Sequence, residues 1–190
     1  MSEAYAQYQR LVAKVDAFGQ AIRQQYSTQI TCHAGCDGCC YQHFTVFPVE
    51  AEALAQAVAA LSVQERQHLH AQVQQETNPW HVVETPSPCV LLAQGRCSVY
   101  QGRPLICRMH GFPLASAMIE GSGGLQRDCC PLNFSAMPLQ DIAPQAVYNL
   151  DLVNQTLVAI NYLFVQEQAL PDQRLTIRQA VLTALSAAEA

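Results

Sequence analysis

The stretch "CHAGCDGCC", residues 32–40, places four of the chain's nine cysteines within nine residues. Cys36 and Cys39 are separated by two residues, a spacing that lets both sulfur atoms bind one metal ion. Gly35 and Gly38 permit the tight backbone that such a turn requires. The stretch therefore predicts a metal-binding turn rather than a regular helix or strand.

The adjacent pair of Cys39 and Cys40 leaves the number of ions open. Neighbouring side chains tend to diverge, so adjacent cysteines are awkward ligands for one tetrahedral ion. Three arrangements fit the pair: its members serve different ions, they serve different irons of one cluster, or one of them is a spectator. Cys32, which precedes Cys36 by four residues, is close enough in sequence to join the same site.

Five further cysteines follow in the second half of the chain: Cys89, Cys97, Cys107, Cys129 and Cys130. They lie in residues 77–141, where Pro and Gly are frequent and apolar periodicity is weak. A segment this long without strong secondary structure is unusual inside a compact domain. Metal–thiolate bonds are the natural candidates to hold it in place. Nine thiols suffice for two sites of four ligands, or for one cluster with supporting thiols.

Outside the cysteine-rich segments, apolar residues recur at three- and four-residue steps, which predicts helices. The expected helices span residues 3–27, 49–61, 63–76 and 142–168, and a last helix is expected to begin at Pro171. Residues 43–49 have strand character. The predicted fold class is therefore mainly α, with a helical frame around a cysteine-rich, loop-dominated metal-binding core. We expect one domain over residues 1–190, with the frame at 1–28, 48–76 and 142–187 and the metal-binding segments at 30–47 and 77–141.

Composition restricts the classes of partner. The net charge is −5 and Lys14 is the only lysine, so no basic stripe is present to attract a nucleic-acid backbone. The N-terminus lacks the charged start and apolar run of a signal peptide, and no stretch approaches the roughly 20 apolar residues of a membrane helix. We therefore expect a cytoplasmic protein that binds neither nucleic acid nor membrane. Clustered cysteines in that compartment more often bind metal or do redox work than form disulfides.

Two kinds of polar residue accompany the second cysteine group. His110, which follows Cys107 by three residues, is either a nitrogen ligand or a polar residue beside the ligands. Arg103 and Arg108 either bond carbonyls and acids or offset the negative charge of a thiolate-rich centre.

The combined motifs resemble the YkgJ-type cysteine-cluster proteins. The similar features are C-x2-GC-x2-CC at residues 32–40, the helix start at Pro48 and Val49, and "RCSVYQGRPLICR" at residues 96–108. The resemblance implies a zinc- or iron-chelating domain and a distant similarity to flagellin lysine N-methylases. It also implies eight metal ligands: Cys32, Cys36, Cys39, Cys40, Cys89, Cys97, Cys107 and one of Cys129 or Cys130.

The leading functional hypothesis is a metal-binding protein that holds zinc or iron, including a [4Fe-4S]-type cluster, through clustered thiolates. Sulfur ligands accept both metals, so spacing does not separate them. The alternatives are a metal-dependent or iron–sulfur enzyme, either methyltransferase-like or redox, and a thiol redox protein that uses Cys36 and Cys39. The redox-thiol alternative ranks last because it leaves seven cysteines unexplained. The sequence identifies no catalytic residue, substrate or partner.

Overall fold

A computed structural model describes residues 2–75, 87–119 and 125–188. Within these ranges the chain forms six α-helices and seven short strands, which confirms the mainly α fold class. The helices are α1 (Glu3–Gln25), α2 (Pro48–Ala59), α3 (Val63–Gln75), α4 (Leu105–Met109), α5 (Leu150–Gln168) and α6 (Ile177–Ala188). The strands are β1 (Thr45–Val46), β2 (Leu92–Ala93), β3 (Arg96–Cys97), β4 (Leu114–Ser116), β5 (Gln126–Asp128), β6 (Tyr148–Asn149) and β7 (Leu175–Thr176).

The chain divides into two compact units. Unit 1 comprises residues 1–33 and 105–169, and unit 2 comprises residues 34–104 and 170–190. The expectation of a single domain stays a prediction. No helix in the described part of the chain combines the length and the apolar character that crossing a bilayer requires.

Unit 1 is built on α1, which packs along α5 and against α4. Ser2 caps α1, because its Oγ accepts a hydrogen bond from the Tyr5 amide at 3.1 Å. The predicted apolar stripe of α1 is confirmed, with Tyr5, Tyr8, Val15 and Ile22 buried. A small sheet completes the unit, in which β4 pairs antiparallel with β5 and parallel with β6.

Unit 2 packs α2, α3 and α6 around one apolar core that includes Val46, Leu54, Val73 and Val181. Pro48 occupies the start of α2, as predicted, where its missing amide hydrogen costs nothing. α3 begins at residue 63, as predicted, behind a capping box: the Ser62 amide donates to Glu65 Oε2 at 2.8 Å, and Ser62 Oγ accepts from the Glu65 amide at 3.3 Å.

Two helix starts differ from the expectation. The helix expected from residue 142 begins at Leu150, because β6 pairs with β4 directly before it and Asn149 caps it by accepting from the Leu152 amide at 3.0 Å. The last helix begins at Ile177 rather than Pro171. Its preceding residues form β7, which pairs antiparallel with β1.

Candidate metal centre

All nine cysteines are free thiols and they fall into one set in each unit. Unit 2 holds Cys36, Cys39, Cys40, Cys89 and Cys97, and unit 1 holds Cys32, Cys107, Cys129 and Cys130. Apart from Cys39, which is exposed, each is partly buried. Sulfur donors therefore face a mixed apolar and aqueous environment in both units.

The pair of Cys39 and Cys40 lies on a turn of 3₁₀ helix, Gly38–Tyr41. The two thiols do not diverge as the sequence suggested, because the tight turn lets the Cys40 thiol donate a hydrogen bond to the Cys39 sulfur. This bond is the largest cause that lowers the pKa of Cys39 from 9.0 to about 6. The same bond, burial and the neighbouring thiols raise the pKa of Cys40. The pair therefore carries one negative charge at neutral pH and resists losing a second proton.

Cys89 and Cys97 lie beside this pair. The Cys89 amide donates to the Cys40 carbonyl at 2.7 Å, and the thiols of Cys89 and Cys97 both act electrostatically on Cys40. Burial is the largest cause that raises the pKa of Cys97. Four sulfur atoms of unit 2 thus influence one another, although they come from sequence segments far apart.

A β-hairpin positions Cys97. β2 and β3 are joined by Gln94 and Gly95, whose φ angles of 51° and 72° are both positive, as a type I′ turn requires. The turn lies against the backbone of Gly35, because a Cβ at Gly95 would be 3.5 Å from the Gly35 Cα. This close approach of two glycines brings the hairpin to the segment that carries Cys36 and Cys39.

Arg103 supplies positive charge to the thiols of unit 2. Its guanidinium carbon lies 3.7 Å from the centre of the Tyr100 ring, and its Nη1 donates to the Tyr100 carbonyl at 3.3 Å. The positive charge of Arg103 acts to lower the pKa of both Cys39 and Cys97. These observations support the charge-offsetting role considered for Arg103. Arg108 instead forms a 2.5 Å ion pair with Asp16.

In unit 1 Cys32 and Cys130 both lie beside Gly111. A Cβ at this glycine would lie 3.4 Å from the Cys32 sulfur and 3.8 Å from the Cys130 Cβ, and its φ is +95°. Cys107 lies on α4, shortly before this glycine, rather than on a loop as expected. The Arg108–Asp16 ion pair joins α4, the helix that carries Cys107, to α1.

Cys129 differs from its neighbour Cys130. The Cys129 thiol is directed at the backbone carbonyls of Cys130 and Asn133, at 3.4 and 3.6 Å. Burial is the largest cause that raises the pKa of Cys129, and the charges of Asp128 and Cys130 act in the same direction. The raised pKa favours a protonated Cys129, whose thiol finds its hydrogen-bond acceptors within its own turn.

His110 lies close to Asp128 in unit 1. Burial lowers the pKa of His110, and the opposing effect of Asp128 is smaller. The imidazole is therefore neutral at neutral pH, which is the state that binds metal. A role as nitrogen ligand stays a prediction.

Within residues 2–75, 87–119 and 125–188, no three His, Cys, Asp or Glu side chains are grouped as a bound metal ion requires. A buried residue that the sequence analysis missed, Asn133, contacts the Cys32 sulfur. No motif marks it, because a lone asparagine distant in sequence from Cys32 carries no spacing signal.

The comparisons with known proteins agree with the cysteine pattern. A family model named CxxCxxCC, with the description "Putative zinc- or iron-chelating domain", matches residues 31–131. The matched segment includes all nine cysteines. No curated protein and no solved structure matches the chain. The similarity to flagellin lysine N-methylases stays a prediction.

Proposed function

Because the chain belongs to the CxxCxxCC family, we propose that it is a metal-binding protein that holds zinc or iron through cysteine thiolates. One observation carries the proposal: all nine cysteines are free and fall within the family segment. In a chain of 190 residues, nine accessible thiols without a metal would be an oxidation liability.

Cysteine thiolates are donors of the kind that zinc and iron bind. The proposed ligands in unit 2 are Cys36, Cys39, Cys40, Cys89 and Cys97. Thiolates, not thiols, bind metal, and the Cys39 pKa of about 6 supplies one thiolate at neutral pH. Arg103 provides the compensating positive charge, which limits the electrostatic cost of further deprotonation.

The proposed ligands in unit 1 are Cys32, Cys107 and Cys130, with Cys129 the weaker candidate. Cys32 and Cys130 flank the Gly111 backbone. The Cys129 thiol, by contrast, bonds the carbonyls of its own turn. We therefore assign the late ligand position of the family pattern to Cys130.

A ligand set dominated by sulfur suits zinc, single iron ions and iron–sulfur clusters. Bound zinc would supply a redox-silent structural link, and an iron–sulfur cluster would supply electron transfer. The chain's residues contribute the same functions in each case: thiolates that bind, Arg103 that balances charge, and glycine turns that let the backbones approach. Nine free thiols also suit a reducing compartment, so we propose the cytoplasm as the location.

The test is the metal content of protein purified without air, chelator or added metal. Elemental analysis, acid-labile sulfide and visible absorption are measured on one sample. Colourless protein with zinc supports a structural zinc site, and coloured protein with iron and sulfide supports a cluster. Protein that contains neither metal and has intramolecular disulfides would contradict the proposal and leave the redox-thiol alternative.

A further inference from the structure

The side-chain amide of Asn133 joins three segments of unit 1. Asn133 is 2% exposed. Its Oδ1 accepts hydrogen bonds from the Thr31 amide at 2.9 Å and the Thr31 hydroxyl at 3.1 Å. Its Nδ2 lies 2.6 Å from the Gly111 carbonyl oxygen and 3.2 Å from the Cys32 sulfur. All the hydrogen-bonding groups of this amide are therefore in use.

The neighbours determine which way the amide faces. The Thr31 backbone N–H can only donate, so it must meet the amide oxygen. The Gly111 carbonyl can only accept, so it must meet the amide nitrogen. A flipped amide would place oxygen against oxygen and nitrogen against nitrogen. The second N–H of Asn133 is consequently available to the Cys32 sulfur.

The Cys32 sulfur therefore acts as an acceptor in this arrangement. Its own proton could donate to Asn133 Oδ1, but that distance is 3.7 Å and the oxygen already has two donors. A thiolate that binds metal has no proton and can only accept. The contact donated by Asn133 is thus the one that persists when the sulfur becomes a ligand.

The backbone around both residues supports this contact. The backbone N–H of Asn133 donates to the Cys130 carbonyl at 2.9 Å and closes a turn that contains Pro131. Arg23 Nη1 donates to the Cys32 carbonyl at 3.1 Å. The sulfur of Cys32 and the turn that carries Cys130 are therefore positioned through a single buried amide.

We propose that Asn133 is a positioning residue for the metal site: it orients the Cys32 sulfur toward Gly111 and Cys130 by donating an N–H hydrogen bond to it. The inference rests on the proposed function, because it requires Cys32 to be a ligand. It adds a residue outside the span of the family match, residues 31–131. Loss of such a supporting hydrogen bond typically weakens metal affinity about 10- to 100-fold.

The test replaces Asn133 with aspartate. Asn133→Asp keeps the shape and the acceptor for Thr31, but it removes both donated hydrogen bonds and places negative charge beside the sulfur. The probe is cobalt(II) in metal-stripped protein, or the bound iron itself where the protein is isolated with iron. We expect affinity to fall about 10- to 100-fold in competition with a chelator.

Absorption provides a readout that a merely structural role would not change. An N–H donor lowers the energy of the sulfur electrons, so its removal moves the sulfur-to-metal charge-transfer band to longer wavelength. The contribution of Cys32 is isolated by subtracting the spectrum of Cys32→Ser. Thr31→Val is the matched control, since it removes the hydroxyl bond to the same amide and leaves both N–H donors. Its band position should equal that of the unaltered chain.

The outcomes separate the two proposals. If the unaltered chain carries no zinc or iron and binds no cobalt, the proposed function fails and this inference fails with it. If the unaltered chain binds metal but Asn133→Asp has the same affinity and band position, only the role of Asn133 is overturned. If Asn133→Asp does not fold, the unaltered chain is loaded with cadmium-113. A scalar coupling between the metal and an Asn133 side-chain proton then supports the inference, and its absence in loaded protein overturns it.

Discussion

The Cys40 thiol donates a hydrogen bond to the sulfur of its chain neighbour Cys39. Both residues belong to one turn of 3₁₀ helix, Gly38–Tyr41. The bond stabilises one thiolate and makes the second proton harder to remove, so the two thiols titrate as a coupled pair. Metal-free protein therefore presents one reactive thiolate in this turn at neutral pH.

Replacing Cys40 with alanine should raise the pKa of Cys39. The donated hydrogen bond favours the charged form of Cys39, so its loss shifts the pKa upward from about 6 toward the ordinary 9.0. The thiolate fraction at neutral pH then falls, and alkylation of Cys39 slows. The measurement is the pH dependence of Cys39 alkylation in reduced, metal-free protein, followed by mass spectrometry.

Cys36→Ala is the matched control for this change. It removes a thiol from the same stretch but keeps the Cys40 donor, which is the largest cause of the lowered pKa of Cys39. Its titration midpoint should equal that of the unaltered chain. An unchanged midpoint in Cys40→Ala would show that the hydrogen bond does not control the Cys39 pKa.

Replacing Arg103 with glutamine should raise the pKa of both Cys39 and Cys97, because its positive charge lowers both. Alkylation of the two thiols should therefore shift to higher pH, and metal affinity should fall. Arg96→Gln is the control, since Arg96 lies in β3 beside Cys97 but is not among the groups that act on either thiol. Equal shifts in the two variants would argue against a specific role for Arg103.

Replacing Gly111 with alanine should destabilise unit 1 and impair metal binding. The φ of +95° is strained for alanine, and the new Cβ would be in close van der Waals contact with the Cys32 sulfur and the Asn133 side-chain nitrogen, both at 3.4 Å. A strained conformation of this kind costs of order 1–3 kcal/mol. Urea unfolding measures the change in the free energy of unfolding.

Two other glycines separate strain from crowding. Gly35 has a φ of +96° but open space around its Cβ position, and Gly38 has open space without a positive φ. Gly35→Ala should therefore show the cost of strain alone, and Gly38→Ala should show little effect. If Gly111→Ala were no worse than Gly35→Ala, the close approach of Gly111 to the Cys32 sulfur and the Asn133 side chain would be in doubt.

Replacing Cys130 with serine should lower metal content more than replacing Cys129. Cys130 lies beside Gly111 and Cys32, whereas the Cys129 thiol already bonds two backbone carbonyls. The two variants differ by one chain position and make the same chemical change, so each is a control for the other. Elemental analysis after identical anaerobic purification measures the difference. The reverse order would assign the late ligand position to Cys129.

Local signals predicted part of the fold well. Pro48 and the Ser62–Glu65 capping box mark helix starts through contacts within one turn, and both starts agree with the structure. The start of α6 has a similar signal. The backbone N–H of Thr176 donates to Gln179 Oε1 at 2.8 Å, and the backbone N–H of Gln179 donates to Thr176 Oγ1 at 3.1 Å. Pro171, the start expected from the sequence, lies before β7 and is therefore too early.

Long-range pairing could not be predicted in the same way. The helix expected from residue 142 starts late because β6 pairs with β4, a contact between distant segments. The division of the cysteines between two units has the same origin, since Cys32 falls in the unit that contains Cys107 and Cys130, and Cys36 falls in the other. Spacing predicts which thiols are ligands, but which of them lie together depends on tertiary contacts such as that of Asn133 with Cys32.

The most direct test of the central claim is X-ray absorption spectroscopy at the edge of the metal that the protein carries on anaerobic isolation. The proposal that thiolates hold zinc or iron predicts a first shell dominated by sulfur, at about 2.3 Å for zinc. It also predicts that Cys39→Ser or Cys97→Ser loses metal or replaces sulfur by a lighter atom in that shell. A first shell of oxygen and nitrogen alone, unchanged in both variants, would contradict the account.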